Sequence, residues 1–273
     1  MNFDRLPILS KIQRYVKMYA IAFHAALAFI AVSTASPIVP RQNGSSPTSS
    51  SIVPPSNPEI SQDLINQLEL AADSVDRFTI LQAQGPADTW LKYDFNPGAN
   101  PNPGGGKGVG GQGDLANRKT FPALINLGVA ASAGFMNPCG MNKPHIHPRA
   151  SEFLILATGA NVKTGFLLEN GLQTQMSTTL SQYQGAILPQ GSIHYEFNDN
   201  CEPAVFIAAF SNEDPGLSTV GKNFFSLDPD IVDADLGFPD FLDHTNIRQF
   251  AQSIPKSFSN GAMECLNRCH IKY

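Results

Sequence analysis

The chain has 273 residues and a formal charge of −5, and only 15% of its residues are charged. An average soluble domain has about 25% charged residues, so an assembly of charged helices or coiled coils is excluded as the main architecture. The negative charge gives no support to a nucleic-acid partner. The 22 glycines and 21 prolines favour many turns and short strands.

The first 36 residues have the pattern of a secretory signal peptide. Basic residues from Arg5 to Lys17 precede an apolar stretch at 19–32, and small residues follow at 33–36. Met18 offers an alternative start that gives a more compact signal. Because the apolar stretch is shorter than the ~20 residues that span a bilayer, we expect a secreted protein with no membrane contact after cleavage.

Residues 37–58 are rich in proline, serine and asparagine. Such a composition cannot bury enough apolar area to offset the entropy of chain ordering, so we expect a disordered linker. The triplet Asn43-Gly44-Ser45 is an N-glycosylation sequon. On an exposed segment of a secreted protein it predicts a glycan on Asn43.

Residues 59–114 are predicted to form a helical and glycine-rich N-terminal extension. Apolar residues recur at helical spacing between 61 and 82, which predicts a helix there. Residues 94–114 contain repeated Asn-Pro and Gly-Gly steps and are predicted to form an extended loop. Within this loop, Gly106-x-Gly108-x-x-Gly111 matches a dinucleotide-binding pattern in form only, because no strand precedes it and no periodic helix follows.

Residues 115–225 are predicted to form the main β domain. Short apolar runs alternate there with turn residues, which indicates an all-β sandwich or barrel. The runs are 124–131, 153–156, 164–168, 186–188 and 204–210. Residues 226–273 are predicted to form a helical C-terminal extension, with helices at 246–254 and 262–270.

Three of the six histidines fall within this β domain, together with one acidic residue that follows them closely. His145 and His147 are two residues apart, so a strand places both imidazoles on one face. Glu152 begins the next apolar run, and His194 follows a Pro-x-Gly turn before a later strand. Three neutral imidazoles and one carboxylate are a typical ligand set for a divalent transition metal.

The composition of this ligand set narrows the choice of metal. It contains no thiolate, which disfavours a structural zinc site and favours manganese or iron, with zinc, nickel and copper left open. The competing interpretation is a chance His-x-His pair on an exposed strand. Glu152 and His194 disfavour that interpretation, because they supply two more ligands at suitable positions.

Two motifs in this region resemble those of the cupin superfamily. The first, at 140–159, is G-x4-H-x-H-x4-E-x6-G, one residue shorter than usual after the opening glycine. The second, at 185–198, is G-x3-P-x-G-x2-H-x3-N, two residues shorter between glycine and proline. The residues around the histidines are similar to those of germins and germin-like proteins. Segments 137–140 and 211–216 are more similar to those of fungal, spherulin-like members.

The resemblance implies a single β jelly-roll barrel over about 115–225 with a metal inside it. It assigns manganese binding to His145, His147, Glu152 and His194. Germins with this site are oxalate oxidases or superoxide dismutases, so the implied substrate is small and anionic or oxygen-derived. The resemblance also implies a homo-oligomer assembled through the helical tail at 246–270.

The resemblance leaves a manganese enzyme and a structural protein as the two main functions, and binding of a carbohydrate or small acid in the barrel also remains open. Asn142 corresponds to one of two asparagines associated with oxalate in germin oxalate oxidases, whereas Ser132 stands where the second is expected. A hydroxyl cannot present the two N–H donors of an amide, so superoxide is favoured over oxalate. The alternative is a structural or storage protein of a cell wall, spore or cyst coat, in which the metal stabilises the barrel.

The four cysteines are an even number behind a signal peptide, which favours disulfide bonds. If the two ligand strands are antiparallel neighbours, as in a cupin barrel, Cys139 and Cys201 come to one end of it. We therefore predict a Cys139–Cys201 disulfide. Cys265 and Cys269 then remain, either to pair with each other or to cross-link partner chains.

Overall fold

The fold consists of two antiparallel β-sheets that pack around a common hydrophobic core, with helices before and after them. The computed structural model describes residues 57, 60–100, 104–243, 245–255 and 257–273, all within one unit that spans 52–273. The predicted signal peptide, almost all of the predicted linker and the Asn43 sequon lie outside the described residues.

Two α-helices precede the strands, and the remaining α-helices follow the eleventh strand, with the twelfth strand between the last two of them. The strands are β1 (Gly104–Gly108), β2 (Gly111–Ala116), β3 (Ala130–Met136), β4 (Gly140–Ile146), β5 (Glu152–Thr158), β6 (Val162–Leu167), β7 (Met176–Leu180), β8 (Gly185–Leu188), β9 (Ile193–Asn198), β10 (Ala204–Phe210), β11 (Ser218–Thr219) and β12 (Phe258–Asn260). The helices are α1 (Gln62–Leu70), α2 (Ser74–Gln82), α3 (Val220–Phe224), α4 (Pro229–Asp235), α5 (Ile247–Ser253) and α6 (Met263–Arg268).

The strand order is that of a jelly roll, which confirms the predicted all-β fold class. One sheet has the order β1-β2-β3-β10-β5-β8, and the other has β11-β4-β9-β6-β7, with β12 also paired to β4. Strand β10 shows the period-2 burial of a half-exposed strand, since Phe206 and Phe210 are buried while Ile207 between them is exposed. Buried residues of both sheets, including Leu154 and Val162, form the main core.

The predicted helix over 61–82 is present but divided into α1 and α2. The Ser61 side chain accepts a hydrogen bond from the backbone N–H of Leu64 and begins α1. The Asp73 side chain accepts one from Asp76 in the same way and begins α2. Each is an N-cap, which satisfies a backbone donor that a helix start leaves free. The predicted C-terminal helices are confirmed as α5 and α6.

The prediction of a loop over 94–114 is wrong in its second half, because β1 and β2 form a hairpin there. Glycine is required by close backbone packing: a Cβ on Gly108 would lie 1.8 Å from the Phe258 carbonyl oxygen. A Cβ on Gly110 would lie 1.8 Å from the Ser259 oxygen. These strands carry no apolar alternation, so the sequence pattern does not reveal them. The apolar run at 124–131 is also mostly outside a strand, since β3 begins at Ala130.

The predicted disulfide pairing is wrong: the bonds are Cys139–Cys265 and Cys201–Cys269. Cys139 does lie beside the turn that carries Cys201, because its backbone N–H donates to the Asn200 carbonyl at 3.0 Å. However, Cys265 and Cys269 are one helical turn apart and present their sulfurs on one face, 4.0 Å from each other. Each barrel cysteine therefore bonds to one tail cysteine, and the tail is attached at two points.

The described part of the chain has no helix that is both long and apolar enough to cross a membrane.

An ion cluster adds to the attachment of the tail, since Asp199 accepts from Lys163 at 2.6 Å and from Arg268 at 2.5 Å. Lys163 lies on β6 and Arg268 on α6, so this cluster joins the barrel to the final helix.

Candidate metal centre

The four predicted ligands meet in one buried cluster inside the barrel. His145 on β4 pairs directly with His194 on β9, His147 follows just after β4, and Glu152 begins β5. One ligand atom from each residue lies within 4.8 Å of the others. All four are buried, with exposed fractions of 3% for His145, 6% for His147, 5% for Glu152 and 1% for His194. An exposed chance pair of histidines is thereby excluded.

Backbone carbonyls orient all three imidazole rings. His145 Nδ1 lies 2.8 Å from the Lys143 carbonyl oxygen, and His194 Nδ1 lies 2.9 Å from that of Ser192. His147 Nδ1 lies 2.5 Å from the carbonyl oxygen of Gly216. A carbonyl oxygen only accepts, so each Nδ1 carries the proton and donates it. The Nε2 lone pair of each neutral ring is then free to bind a metal.

The contacts of Glu152 show why this cluster fits a cation. Glu152 Oε2 lies 3.2 Å from His147 Nε2 and 3.4 Å from His194 Nε2. Because Nδ1 carries the proton in His147 and in His194, the Nε2 atom of each neutral ring presents only a lone pair to this oxygen. Glu152 Oε2 and His194 Nε2 are buried without a hydrogen-bond partner. Either a proton or a divalent ion satisfies these facing lone pairs, so the residues present fit a metal.

The ionisation of the cluster favours metal binding over an uncharged interior. Burial and the neighbouring rings of His194 and His147 lower the pKa of His145 to about 3, so this ring stays neutral. Burial opposes ionisation of Glu152, but the His147 and His194 side chains beside it hold its pKa down at about 2. Burial also opposes protonation of His194, yet its contact with Glu152 raises its pKa. The cluster therefore keeps its negative carboxylate buried.

A cavity of about 50 Å³ opens onto the cluster. A water molecule needs about 10–15 Å³ by this measure, so the cavity holds only a few water-sized groups. Its walls include the glycines of three strands, which add no side-chain bulk: Gly104, Gly105, Gly113 and Gly134. Asn142 and Ser132 also line it, so both positions singled out in the sequence face the space beside the metal ligands.

Glu196 is a further residue of the site that the sequence reasoning missed. Its side chain has no exposed surface, and its Oε2 accepts a hydrogen bond from Asn142 Nδ2 at 2.8 Å. Burial and the negative charge of Glu152 raise the pKa of Glu196 to about 8. The sequence spacing could have identified it, because Glu196 lies two residues after His194 on β9 and therefore on the same face of the strand.

Comparison with known proteins agrees with this fold. A family model described as Cupin matches residues 99–238. The chain is 36% identical to spherulin-1A of Physarum polycephalum over 209 residues, which cover 77% of this chain and 80% of spherulin-1A. It is 38% identical to germin-like protein 8-5 of Oryza sativa subsp. japonica over 126 residues, or 46% and 56% of the two chains.

Solved structures show the same architecture. An oxalate oxidase structure superimposes with a TM-score of 0.52 at 22% identity, covering 63% of this chain and 86% of that chain. At this identity the likeness shows the fold alone. The jelly roll with three histidines and a glutamate inside it defines a cupin, and the chain belongs to the cupin family. Spherulins and germin-like proteins are its relatives.

Proposed function

We propose that this protein is a secreted, manganese-binding oxidoreductase of the germin-like type that acts on superoxide or, as second choice, oxalate. The observation that carries the proposal is the buried cluster of His145, His147, Glu152 and His194, with a small cavity beside it. Nitrogen and oxygen ligands without thiolate suit manganese or iron, and leave zinc, nickel and copper as alternatives. Bound manganese supplies one-electron redox chemistry.

The protein's own residues account for binding, orientation and size selection. The three rings are held by backbone carbonyls, so the ligand geometry is set before a metal arrives. The cavity of about 50 Å³ admits a substrate of only a few heavy atoms. Asn142 lines this space with its amide held by Glu196, and we expect it to contact an anion there. Ser132 offers a hydroxyl, which supports superoxide better than oxalate.

The alternative proposal is a structural or storage protein of a cell wall, spore or cyst coat. The similarity to spherulin-1A over most of both chains supports it, although germin-like protein 4-1 of Oryza sativa subsp. japonica is 31% identical over 78% of this chain and 79% of its own length. In this role the ion bound by His145, His147, Glu152 and His194 cross-links β4, β5 and β9 and stabilises the barrel. Metal binding is common to both proposals, and turnover separates them.

Extracellular location and self-association complete the proposal. Two disulfides are typical of proteins that fold in an oxidising compartment, which supports secretion. The region that follows the barrel exposes large apolar side chains, since Ile231, Phe238 and Phe241 are 60%, 70% and 83% exposed. Burial of these side chains in a homo-oligomer would remove them from water. Light scattering on the purified protein measures this assembly directly.

The experiment that tests the proposed activity combines metal analysis with two assays. The purified chain should contain manganese at near one ion per chain and should remove superoxide. His147→Ala should lose both properties, whereas His270→Ala, an exposed tail histidine, should keep them. Oxalate consumption without superoxide removal would select oxalate as the substrate. Bound metal with neither activity would support the coat protein instead.

A further inference from the structure

A second cavity, of about 200 Å³, lies between the N-terminal helices and the barrel domain. Among the described residues it shares no lining residue with the metal cavity. Its walls come from α1, α2, the segment around 90 and the segment before β3. The apolar and aromatic wall residues are Leu64, Leu81, Trp90, Tyr93, Phe121 and Pro122.

The polar atoms of the aromatic walls are engaged elsewhere. Trp90 Nε1 donates to the Gly85 carbonyl at 3.2 Å, and the Tyr93 hydroxyl donates to Asp114 Oδ1 at 2.6 Å. The Thr120 hydroxyl donates to the Leu115 carbonyl. A polar ligand would therefore lose its bonds to water and find few replacements among these walls.

The polar side chains at the rim are also engaged. Gln84 Nε2 donates to the Ile80 carbonyl at 3.1 Å, and the Lys92 ammonium group lies 3.7 Å from Asp88. Asn57 exchanges two hydrogen bonds with the backbone of Asp94. The cation at the described rim, Lys92, thus already has a carboxylate beside it, so the rim does not select an anionic ligand.

Volume and ring geometry specify the ligand further. An apolar cavity of about 150 Å³ is known to bind benzene, so about 200 Å³ accommodates one ring with a short substituent. The rings of Tyr93 and Phe121, which both line the cavity, are tilted with their centroids 5.4 Å apart. Phe78, which is not a wall residue, supports Trp90 by packing edge-on against it, with ring centroids 6.2 Å apart. Edge and tilted contacts of this kind favour another ring over an aliphatic chain.

We propose that this cavity binds an uncharged, single-ring aromatic molecule, independently of the metal site. Because its walls belong both to the N-terminal helices and to the segment that leads into β3, a bound ring adds contacts between them. The bound form should therefore unfold at a higher temperature than the free form.

Trp90 makes the proposal directly measurable, because it is the single tryptophan of the chain and it lines the cavity. We would titrate the full metal-loaded protein with toluene and follow Trp90 emission and the unfolding temperature. The expected result is a saturable change in emission together with a rise in unfolding temperature. Benzoate, which has a similar ring and a charge, should bind about tenfold more weakly or worse.

Two variants of one helix provide the matched control. Leu64→Phe adds a larger side chain inside the cavity, whereas Leu70→Phe makes the same change at a position that is 85% exposed. Leu64→Phe should weaken toluene binding about tenfold or more, and Leu70→Phe should leave it unchanged. If Leu64→Phe does not fold, Thr89→Phe blocks the cavity from an exposed position.

Three outcomes would overturn the proposal. The first is no saturable change in emission or unfolding temperature up to the solubility of toluene. The second is equal toluene affinity in the blocking variant and in Leu70→Phe. The third is benzoate binding as tight as toluene binding. None of these results depends on metal content, so they leave the proposed function untouched.

Discussion

Asn142 and Glu196 are joined by a hydrogen bond of 2.8 Å across strands β4 and β9, beside the metal ligands. Asn142 faces the metal cavity, and Glu196 lies behind it with no exposed surface. The second oxygen of Glu196 and the hydroxyl of Thr164, on the neighbouring strand, are buried without hydrogen-bond partners. A buried acid therefore sets the orientation of the amide that faces the cavity from β4.

Glu196 should make the metal-free protein less stable as the pH rises. Its pKa is raised to about 8 in the folded state from 4.5, so the folded state holds a proton that the unfolded state releases. Stability is therefore unaffected below about pH 4.5 and decreases as the pH rises to about 8, by up to about 1.4 kcal/mol per pH unit. Urea unfolding of the metal-free protein across this range measures the loss.

Glu196→Gln is the variant that isolates this effect, since Gln keeps an acceptor for Asn142 and cannot ionise. The variant should lose the decrease between about pH 4.5 and 8 and be more stable than the parent chain at the upper end. Asp63→Asn, on the exposed surface of α1, serves as the control for removing one acid. Parallel stability curves for Glu196→Gln and the parent would contradict the assignment.

Acid should displace the metal through His194. Contact with Glu152 raises the pKa of His194, so a proton competes with the ion for the same lone pair. Metal affinity should be full above this pKa and fall about tenfold per pH unit below it, if one proton replaces the ion. Competition with a coloured chelator between about pH 8 and 5 measures the slope. Affinity that stays constant over this range at equilibrium would argue against imidazole ligands.

Close backbone packing around the glycines of the β1–β2 hairpin should make their replacement by larger residues destabilising. A Cβ on Gly108 would meet the Phe258 carbonyl oxygen, so Gly108→Ala should destabilise the fold by about 1–3 kcal/mol. A Cβ on Gly221, within α3, would have no atom within 4 Å, so Gly221→Ala should be neutral or stabilising by about 0.5–1 kcal/mol. Urea unfolding of both variants checks the contrast, and equal effects would contradict the close approach of β1 to β12.

The disulfides should contribute to stability by joining the tail to the barrel. Cys139–Cys265 spans 126 residues and Cys201–Cys269 spans 68. In the chain-entropy model, a disulfide that closes a loop of this length stabilises the folded protein by about 4–5 kcal/mol. Replacing either pair by serine should lower the free energy of unfolding by up to this amount. Peptide mapping without reduction should recover the two barrel-to-tail links, whereas a Cys139–Cys201 peptide would contradict this connectivity.

The metal ligands could be predicted from sequence because their spacing has a direct geometric meaning. His145 and His147 share a strand face, and the two motifs supply Glu152 and His194 at the positions where the barrel brings them together. The sequence pattern shows neither the glycine strands nor the disulfide pairing. Strand signals depend on side-chain alternation, which Gly104–Gly108 lacks, and the pairing depends on where α6 packs. Glu196 was missed although it has the same two-residue spacing from His194.

Anomalous X-ray diffraction from crystals of the manganese-loaded protein shows where the ion binds. We predict one anomalous peak inside the barrel, within direct bonding distance of the Nε2 atoms of His145, His147 and His194 and of a Glu152 oxygen. A peak elsewhere in the chain, or an empty barrel in protein that carries stoichiometric metal, would contradict it.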